Sequence, residues 1–202
     1  MRRSPSPEFP ARSSGSRFVI DVANTEGPGP GPAEPKDDDL ARRRSRVGFA
    51  LVALGAVALD QVGKVWAVAR LGSEPGRIDP LGPVHLQLSR NPGAGFGIAP
   101  GLTAWITAVA LVAVVALTIF GWRARSRLMA AALGLAAGGA AGNAVDRILR
   151  SPGPFRGAVV DWIKVPFYGP VFNVADVALR AGLLVAVVVV LRSGGKTRSV
   201  AD

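Results

Sequence analysis

Four long apolar stretches constrain the fold of this 202-residue chain more than any other feature. They cover residues 47–69, 102–122, 128–149 and 171–191. A helix crosses the roughly 30 Å hydrocarbon core of a bilayer with about 20 mostly apolar residues. Because the charged residues cluster between these stretches and the mean hydropathy is +0.32, the sequence predicts an all-α membrane protein with four transmembrane helices.

The net charge of +10 comes mostly from basic residues that lie just outside the apolar stretches. Such flanking residues favour the cytoplasmic side of the membrane and contact anionic lipid, so the charge predicts membrane topology and no nucleic-acid binding. With four spans, both termini are expected in the cytoplasm. The cytoplasmic set comprises Arg42, Arg43, Arg44, Arg46, Arg123, Arg125, Arg127, Arg192, Lys196 and Arg198.

Outside the spans the chain divides into two tails and one outer region. Residues 1–40 hold seven of the sixteen prolines and few large apolar residues, so we expect a disordered cytoplasmic tail before a membrane domain at 41–192. Residues 193–202 are expected to form a cytoplasmic C-terminal tail. The first span ends in a signal-like Ala-Val-Ala sequence, but its length and its internal Asp60 and Lys64 argue against cleavage.

Two short segments between the spans have the pattern of β-strands. Residues 84–89 alternate apolar and polar side chains, and residues 158–165 are rich in β-branched and aromatic residues. Both fall on the same outer side of the membrane. The sequence therefore predicts a small extracytoplasmic β-sheet.

The first and third spans contain unusual residues for apolar helices. Asp60 and Lys64 are four positions apart and share a helical face, either as a buried ion pair or with a direct role in binding. The third span carries several glycines among alanines, which favours close approach of a neighbouring helix and is explained by packing alone.

Two Asn-x-x-Asp pairs lie at the outer ends of the third and fourth spans. Asn143 and Asp146 form one pair, and Asn173 and Asp176 form the other. On a helix each pair would share one face, which predicts a polar cluster in which amides orient carboxylates. Arg147, next to Asp146, would cap the helix, contact lipid phosphate or hold a substrate carbonyl.

Asp161 and Asp176 are the strongest catalytic candidates, since acids among apolar residues at span ends are costly and usually functional. The chain has no Cys and one His, which excludes thiol catalysis and multi-His sites. Two carboxyl groups that share one proton can divide the work of an acid and a base in hydrolysis. This chemistry needs no metal and no cofactor.

Five phrases in this order resemble lipoprotein signal peptidase, also called signal peptidase II. The resemblance covers roughly residues 47–192 and rests on LDQVGK (59–64), NPGAGF (91–96), GNAVDR (142–147), VVD (159–161) and FNVAD (172–176). It implies a membrane aspartic endopeptidase whose site would bind the cyclic lipopeptide antibiotic globomycin. We separately expect the protein to act as a monomer. Its substrates would be diacylglyceryl-modified prolipoproteins, cleaved immediately before the lipid-bearing Cys.

The resemblance also implies residue roles. Asp161 and Asp176 match the catalytic pair, and the Pro- and Gly-rich stretch before Asp161 leaves open whether Asp146 replaces it as the partner of Asp176. We favour Asp161, because Asp146 lies beside Arg147 and suits a structural role. The substrate-binding or site-lining positions are Asp60, Lys64, Asn91, Gly93, Asn143, Asp146, Arg147, Asn173 and Ala175.

Two other function classes fit intramembrane acids. One is a small proton-coupled transporter or channel, in which the acids relay protons. The other is a scaffold whose charged residues only pair with one another. The clustering of the acids at one surface favours the peptidase.

Overall fold

Four helices and one small sheet make up the part of the chain described by the computed structural model, residues 37–73, 78–93 and 102–198. Three predictions lie outside these residues in whole or in part. They concern the tail over residues 1–36, residues 94–96 of the NPGAGF phrase, and the final four residues.

All four helices are long and apolar enough to cross a membrane. They are α1 (Asp37–Leu71), α2 (Thr103–Arg123), α3 (Arg127–Leu149) and α4 (Val174–Arg198). This arrangement confirms the predicted fold class. Successive helices run in opposite directions. One end of the bundle therefore holds the C-terminal ends of α1 and α3 and the N-terminal ends of α2 and α4, and the sheet lies at this end.

The helix ends differ from the prediction in three places. Helix α1 already begins at Asp37, so residues 37–40 are helical although a disordered tail was expected there. The acidic side chains in its first turn favour a helix start, because they interact with the positive end of the helix dipole. Helix α4 continues to Arg198, past the predicted boundary at 192, and it begins later than predicted because Val171–Phe172 form a strand.

The sheet has four antiparallel strands in the order β1-β2-β3-β4. They are β1 (Asp79–Leu81), β2 (Val84–Asn91), β3 (Val159–Lys164) and β4 (Val171–Phe172). Strands β2 and β3 confirm the two predicted segments. Strands β1 and β4 were missed, because three and two residues are too few to show an alternating pattern.

The pairing of β2 with β3 brings two parts of the candidate site together. Asn91 lies opposite Val159, and Ser89 lies opposite Asp161, with an irregularity in register between Leu86 and Ser89. In the resulting register, the side chain of Asn91 reaches the carboxylate of Asp161. The sheet thus joins the NPGAGF and VVD phrases.

Helix α3 is the centre of the bundle, since it packs against each of the other three helices. Its glycines make this possible. A Cβ atom at Gly138 would lie 2.5 Å from the backbone oxygen of Ala53 and 2.7 Å from the Cβ of Ala56, both on α1. Gly139 faces α4 in the same way, where it meets Ala175 and Leu179. Close backbone approach on two faces therefore requires glycine.

Substituting Gly138→Ala should destabilise the bundle, because the added methyl group would press α1 away from α3. We expect a loss of about 1–3 kcal/mol, as for other overpacked cores. Gly55→Ala is the matched control, because its Cβ would meet nothing within 4 Å. Thermal unfolding in detergent should show a lower midpoint for Gly138→Ala only, and equal midpoints for the two variants would contradict this packing.

Candidate active site

A cleft of about 270 Å³ lies at the sheet end of the helix bundle. Asp161 from β3 and Asp176 from α4 both line it, together with Asn91 and Asn143. The two predicted catalytic aspartates therefore face the same space. Gly93, Ile106, Arg147, Tyr168, Phe172, Leu179 and Arg180 also contribute to the wall.

Asp161 is almost fully buried, with 3% of its surface exposed. Its carboxylate accepts hydrogen bonds from the side-chain amides of Asn173 at 2.6 Å and Asn91 at 3.4 Å. Burial, followed by the negative charge of Asp176, raises the pKa of Asp161 to about 7, although the two amides and Lys64 act in the opposite direction. Asp161 can therefore hold a proton near neutral pH.

Asp176 is fixed by a capping box at the start of α4. The side-chain oxygen of Asn173 accepts a hydrogen bond from the backbone N–H of Asp176 at 2.9 Å, and the carboxylate of Asp176 accepts one from the backbone N–H of Asn173 at 3.3 Å. Asn173 thus precedes the helix, so the prediction that it shares a helical face with Asp176 was wrong. The Asn-x-x-Asp spacing here marks the start of a helix, and Asn173 donates hydrogen bonds to both aspartates.

Asn143 connects the cleft to a charged cluster behind it. Its side-chain N–H donates to Asp176 at 3.0 Å, while its oxygen accepts from the ammonium of Lys64 at 3.0 Å and from the amide of Asn173 at 3.0 Å. An ammonium group can only donate hydrogen bonds. Lys64 therefore orients the amide so that its N–H side faces Asp176.

Lys64 lies between two carboxylates, at 2.7 Å from Asp60 and 2.9 Å from Asp146, and all three side chains are fully buried. The Asp60–Lys64 pair is thus a structural ion pair, one of the two interpretations left open by the sequence. Asp146 also accepts a hydrogen bond from Arg150 at 2.6 Å. Asp146 is therefore engaged by two cations, while Asp161 lies in the cleft with Asp176.

The same two carboxylates hold the backbone next to each candidate catalytic residue. Asp60 accepts a hydrogen bond from the backbone N–H of Ala175 at 2.9 Å, and Asp146 accepts one from that of Val160 at 3.0 Å. Ala175 immediately precedes Asp176, and Val160 immediately precedes Asp161. The charged cluster therefore sets the positions of a strand and a helix start relative to one another.

Arg147 binds the backbone of the loop that follows β2. Its guanidinium donates hydrogen bonds to the backbone oxygens of Pro92 and Gly93, and the N–H of Gly93 donates to the side chain of Asn91 at 3.0 Å. Arg147 thus binds backbone carbonyls of the protein's own loop, and the three roles considered for it from the sequence stay predictions. This contact shapes the rim of the cleft.

The residues predicted to line the site divide into two layers. Those that line the cleft are Asn91, Gly93, Asn143 and Arg147. Those that lie behind its wall, buried, are Asp60, Lys64, Asp146, Asn173 and Ala175. Asn173 binds the two catalytic candidates directly, Asp60 and Asp146 bind the backbone that precedes them, and Lys64 joins Asp60 to Asp146.

Sequence reasoning missed several residues of the site. Gln61 donates to Asp60 at 3.1 Å, to Asp146 at 3.3 Å and to the backbone oxygen of Gly142 at 3.0 Å, and its amide inside an apolar span was a usable signal. Tyr168 and Phe172 meet edge to face at the cleft mouth, with ring centroids 6.0 Å apart. Phe172 begins the FNVAD phrase, which was a usable signal, whereas the connection between β3 and β4 that carries Tyr168 shows no periodicity and gave none.

No group of three or more His, Cys, Asp or Glu side chains is placed to hold a metal ion within the described part of the chain. The donors among the residues that line the cleft are amide and guanidinium N–H groups and the hydroxyl of Tyr168, and the acids are the two aspartates. This arrangement suits proton transfer between carboxyl groups, with amides that hold them in place.

The fold and the cleft define a four-helix membrane enzyme with a small antiparallel sheet. The family model described as Signal peptidase (SPase) II matches residues 52–192, which is more than half of the chain. The chain therefore belongs to the signal peptidase II family, a family of membrane proteases.

Relatives and solved structures agree with this assignment. The chain is 44% identical to a lipoprotein signal peptidase of Rhodococcus jostii over 137 residues, covering 67% of this chain and 68% of the relative. It is 38% identical to that of Streptomyces griseus over 169 residues, covering 83% and 85%. A solved bacterial membrane enzyme superposes with a TM-score of 0.63 at 28% identity, covering 73% of this chain and 90% of the other.

Substituting Lys64→Met should destabilise the protein strongly, because it leaves Asp60 and Asp146 buried without their shared cation. We expect a loss of about 3–5 kcal/mol, as for other broken buried ion pairs. Arg70→Met is the control, since Arg70 is 54% exposed and lies 3.8 Å from Asp79. A comparison of unfolding free energies in detergent measures both, and a similar small loss in the two variants would refute the role of Lys64.

Proposed function

We propose that this chain removes the signal peptide from diacylglyceryl-modified prolipoproteins by cleaving immediately before the lipid-bearing Cys, with Asp161 and Asp176 as the catalytic pair. Membership of the signal peptidase II family and relatives named lipoprotein signal peptidase support the reaction. The family match favours a peptidase over a transporter or a scaffold.

One observation supports the catalytic pair above all others. Asn173 donates a hydrogen bond from its side chain to Asp161 and another from its backbone to Asp176, so a single residue binds both carboxyl groups. Both groups also face the same cleft. This geometry suits two acids that act on one substrate bond.

The two aspartates have different surroundings, which suggests different roles. Asp161 is the acid, because its raised pKa of about 7 leaves a large fraction of it protonated at neutral pH and nearly all of it in acidic solution. Asp176 is the base, because its two oxygens accept N–H hydrogen bonds from Asn143 and Asn173, an arrangement that suits a carboxylate. Such a division resembles that of other carboxyl pairs with unequal environments.

The reaction then proceeds by addition of water to the peptide bond. Asp176 takes a proton from a water molecule as the water oxygen attacks the scissile carbonyl carbon, and Asp161 gives its proton to the carbonyl oxygen. The tetrahedral intermediate collapses when Asp176 returns the proton to the departing amine nitrogen and Asp161 recovers a proton from a hydroxyl group. The C–N bond breaks, and both carboxyl groups regain their initial states.

The distribution of basic residues supports an orientation in the membrane. One group of basic residues lies at the end of the bundle opposite the sheet. It comprises Arg42, Arg43, Arg44, Arg46, Arg123, Arg125, Arg127 and Arg192. Basic residues favour the cytoplasmic side, so the sheet and the cleft would face away from the cytoplasm and both termini would face it. We expect the protein to act as a monomer in contact with lipid, with globomycin as an inhibitor.

Replacing either Asp161 or Asp176 with Asn should abolish processing without unfolding the protein. An amide cannot serve as the required acid or base, and such groups typically contribute about 10²–10⁴-fold to the rate. Purified variants in detergent can be assayed on a diacylglyceryl-modified prolipoprotein, with cleavage followed as a shift in product mass.

Asp79→Asn is the matched control for this experiment. Asp79 lies on β1, outside the cleft lining, so its variant should cleave at the wild-type rate. Globomycin should inhibit the wild type and this control alike. Full processing by either the Asp161 or the Asp176 variant would reject the catalytic pair.

The rate should also depend on pH in a way that reports on Asp161. Because its pKa is raised to about 7, kcat/KM should fall as the pH rises through this value and Asp161 loses its proton. Replacing Asn91 with Ala removes a hydrogen bond that favours the ionised form, so the pKa should rise and the alkaline limb should move to higher pH.

Ser89→Ala is the control for the pH profile, since Ser89 lies opposite Asp161 in the sheet without a hydrogen bond to its carboxylate. Its alkaline limb should coincide with that of the wild type. If Asn91→Ala left the limb in place or moved it to lower pH, Asp161 would not be the titrating acid.

A further inference from the structure

Arg180 is an unusual residue for the membrane-spanning part of α4, because its side chain is charged. It is the only charged residue between Asp176 and Arg192, and it lies within the segment that is apolar enough to cross a membrane. A cation at such a position is costly unless it finds a partner. The sequence pattern gave it no role, and no motif phrase includes it.

The guanidinium of Arg180 has no hydrogen bond or ion pair with any side chain or backbone group that the structure describes. The spacing to Asp176 is four residues, which would allow an ion pair on one helical face. No such ion pair forms between Arg180 and Asp176. Its N–H donors remain available for a ligand.

Arg180 lies at the boundary of two cavities. One is the cleft that contains the two aspartates. The other, which we call the lateral groove, has a volume of about 420 Å³ and is almost entirely apolar. The lateral groove is lined by Val165, Tyr168, Phe172, Val177, Arg180, Ala181 and Leu184, of which Tyr168, Phe172 and Arg180 also line the cleft.

The chemistry of the substrate matches this arrangement, on the basis of the function proposed above. The residue that follows the scissile bond is a Cys that carries a glyceryl group with two ester-linked acyl chains. Each ester offers a carbonyl oxygen as an acceptor, next to a long apolar chain. Arg180 lies about 6 Å further along α4 than Asp176, given a rise of about 1.5 Å per residue, which suits a group a few bonds away from the scissile carbonyl.

We propose that Arg180 determines specificity for the lipid of the substrate. Its guanidinium donates a hydrogen bond to an ester carbonyl of the diacylglyceryl group, and the acyl chain that extends from this ester lies in the lateral groove. The contact places the lipid-bearing Cys beside Asp161 and Asp176. Arg180 takes no part in proton transfer.

The test compares two synthetic substrates that differ only in the lipid linkage. One prolipopeptide carries a diacylglyceryl group, and the other carries a dialkylglyceryl group of equal chain length, whose ether links lack the carbonyl oxygens. Both are assayed in detergent without phospholipid. The wild type should prefer the ester substrate by roughly tenfold in KM with similar kcat, in line with one hydrogen bond to a charged group.

Arg180→Leu should raise KM for the ester substrate roughly tenfold and remove the preference for esters, because the donor is lost. Arg180→Lys should restore part of the preference, since the ammonium still donates. Arg156→Leu is the matched control. Arg156 is an exposed cation at the same end of the bundle and lines neither cavity, so the control should behave like the wild type.

Three results would overturn the proposal. An equal loss on both substrates in Arg180→Leu would show a structural role, and an unchanged KM would show no role. An effect that appears only after anionic phospholipid is added would assign Arg180 to a lipid phosphate. Failure of the wild type to cleave either substrate would instead reject the proposed function, so the two failures are distinguishable.

Discussion

The interaction on which the rest of the structure depends is the contact of one buried ammonium, Lys64, with two buried carboxylates, Asp60 and Asp146. Charges in such surroundings are stable only when they are paired and their remaining hydrogen bonds are satisfied. Here both carboxylates also accept hydrogen bonds from backbone N–H groups, Asp60 at the start of α4 and Asp146 on β3. Because the buried charges must stay paired, the cluster fixes the start of α4 and strand β3, which carry the two aspartates of the cleft.

This arrangement explains how a helix and a strand from different parts of the fold present two acids to one site. Asp176 stands in the first turn of a helix, where backbone N–H groups are free to bind carboxylates. Asp161 lies on strand β3, and the burial of its carboxyl group raises its pKa. The unequal surroundings of two chemically identical side chains supply the difference between acid and base that the proposed mechanism needs.

The sequence predicted the parts of the fold that depend on long apolar periodicity and on motif phrases. The four helices and strands β2 and β3 follow from patterns that extend over six or more residues. Strand β4 was assigned to a helix, because Val171–Phe172 are apolar like the span that follows and only sheet pairing distinguishes them. The capping role of Asn173 was missed for a related reason, since Asn-x-x-Asp fits both a helical face and a helix start. Arg180 is visible in the sequence as a cation inside an apolar span, but its place between two cavities was not predictable, because it depends on the path of β4 and the loop before it.

The glycines of α3 are needed both for the packing of the helices and for the charged cluster behind the cleft. The sequence attributed them to close helix approach alone, and Gly138 and Gly139 fit that explanation. Gly142 does more, because a Cβ there would lie 2.6 Å from a carboxylate oxygen of Asp60. Its backbone oxygen also accepts hydrogen bonds from Gln61 at 3.0 Å and Lys64 at 3.4 Å. A larger residue would displace the carboxylate that holds Ala175, and with it the start of α4. The small residue is therefore required by the charged cluster, and the close packing of α1 against α3 is what keeps water from that cluster.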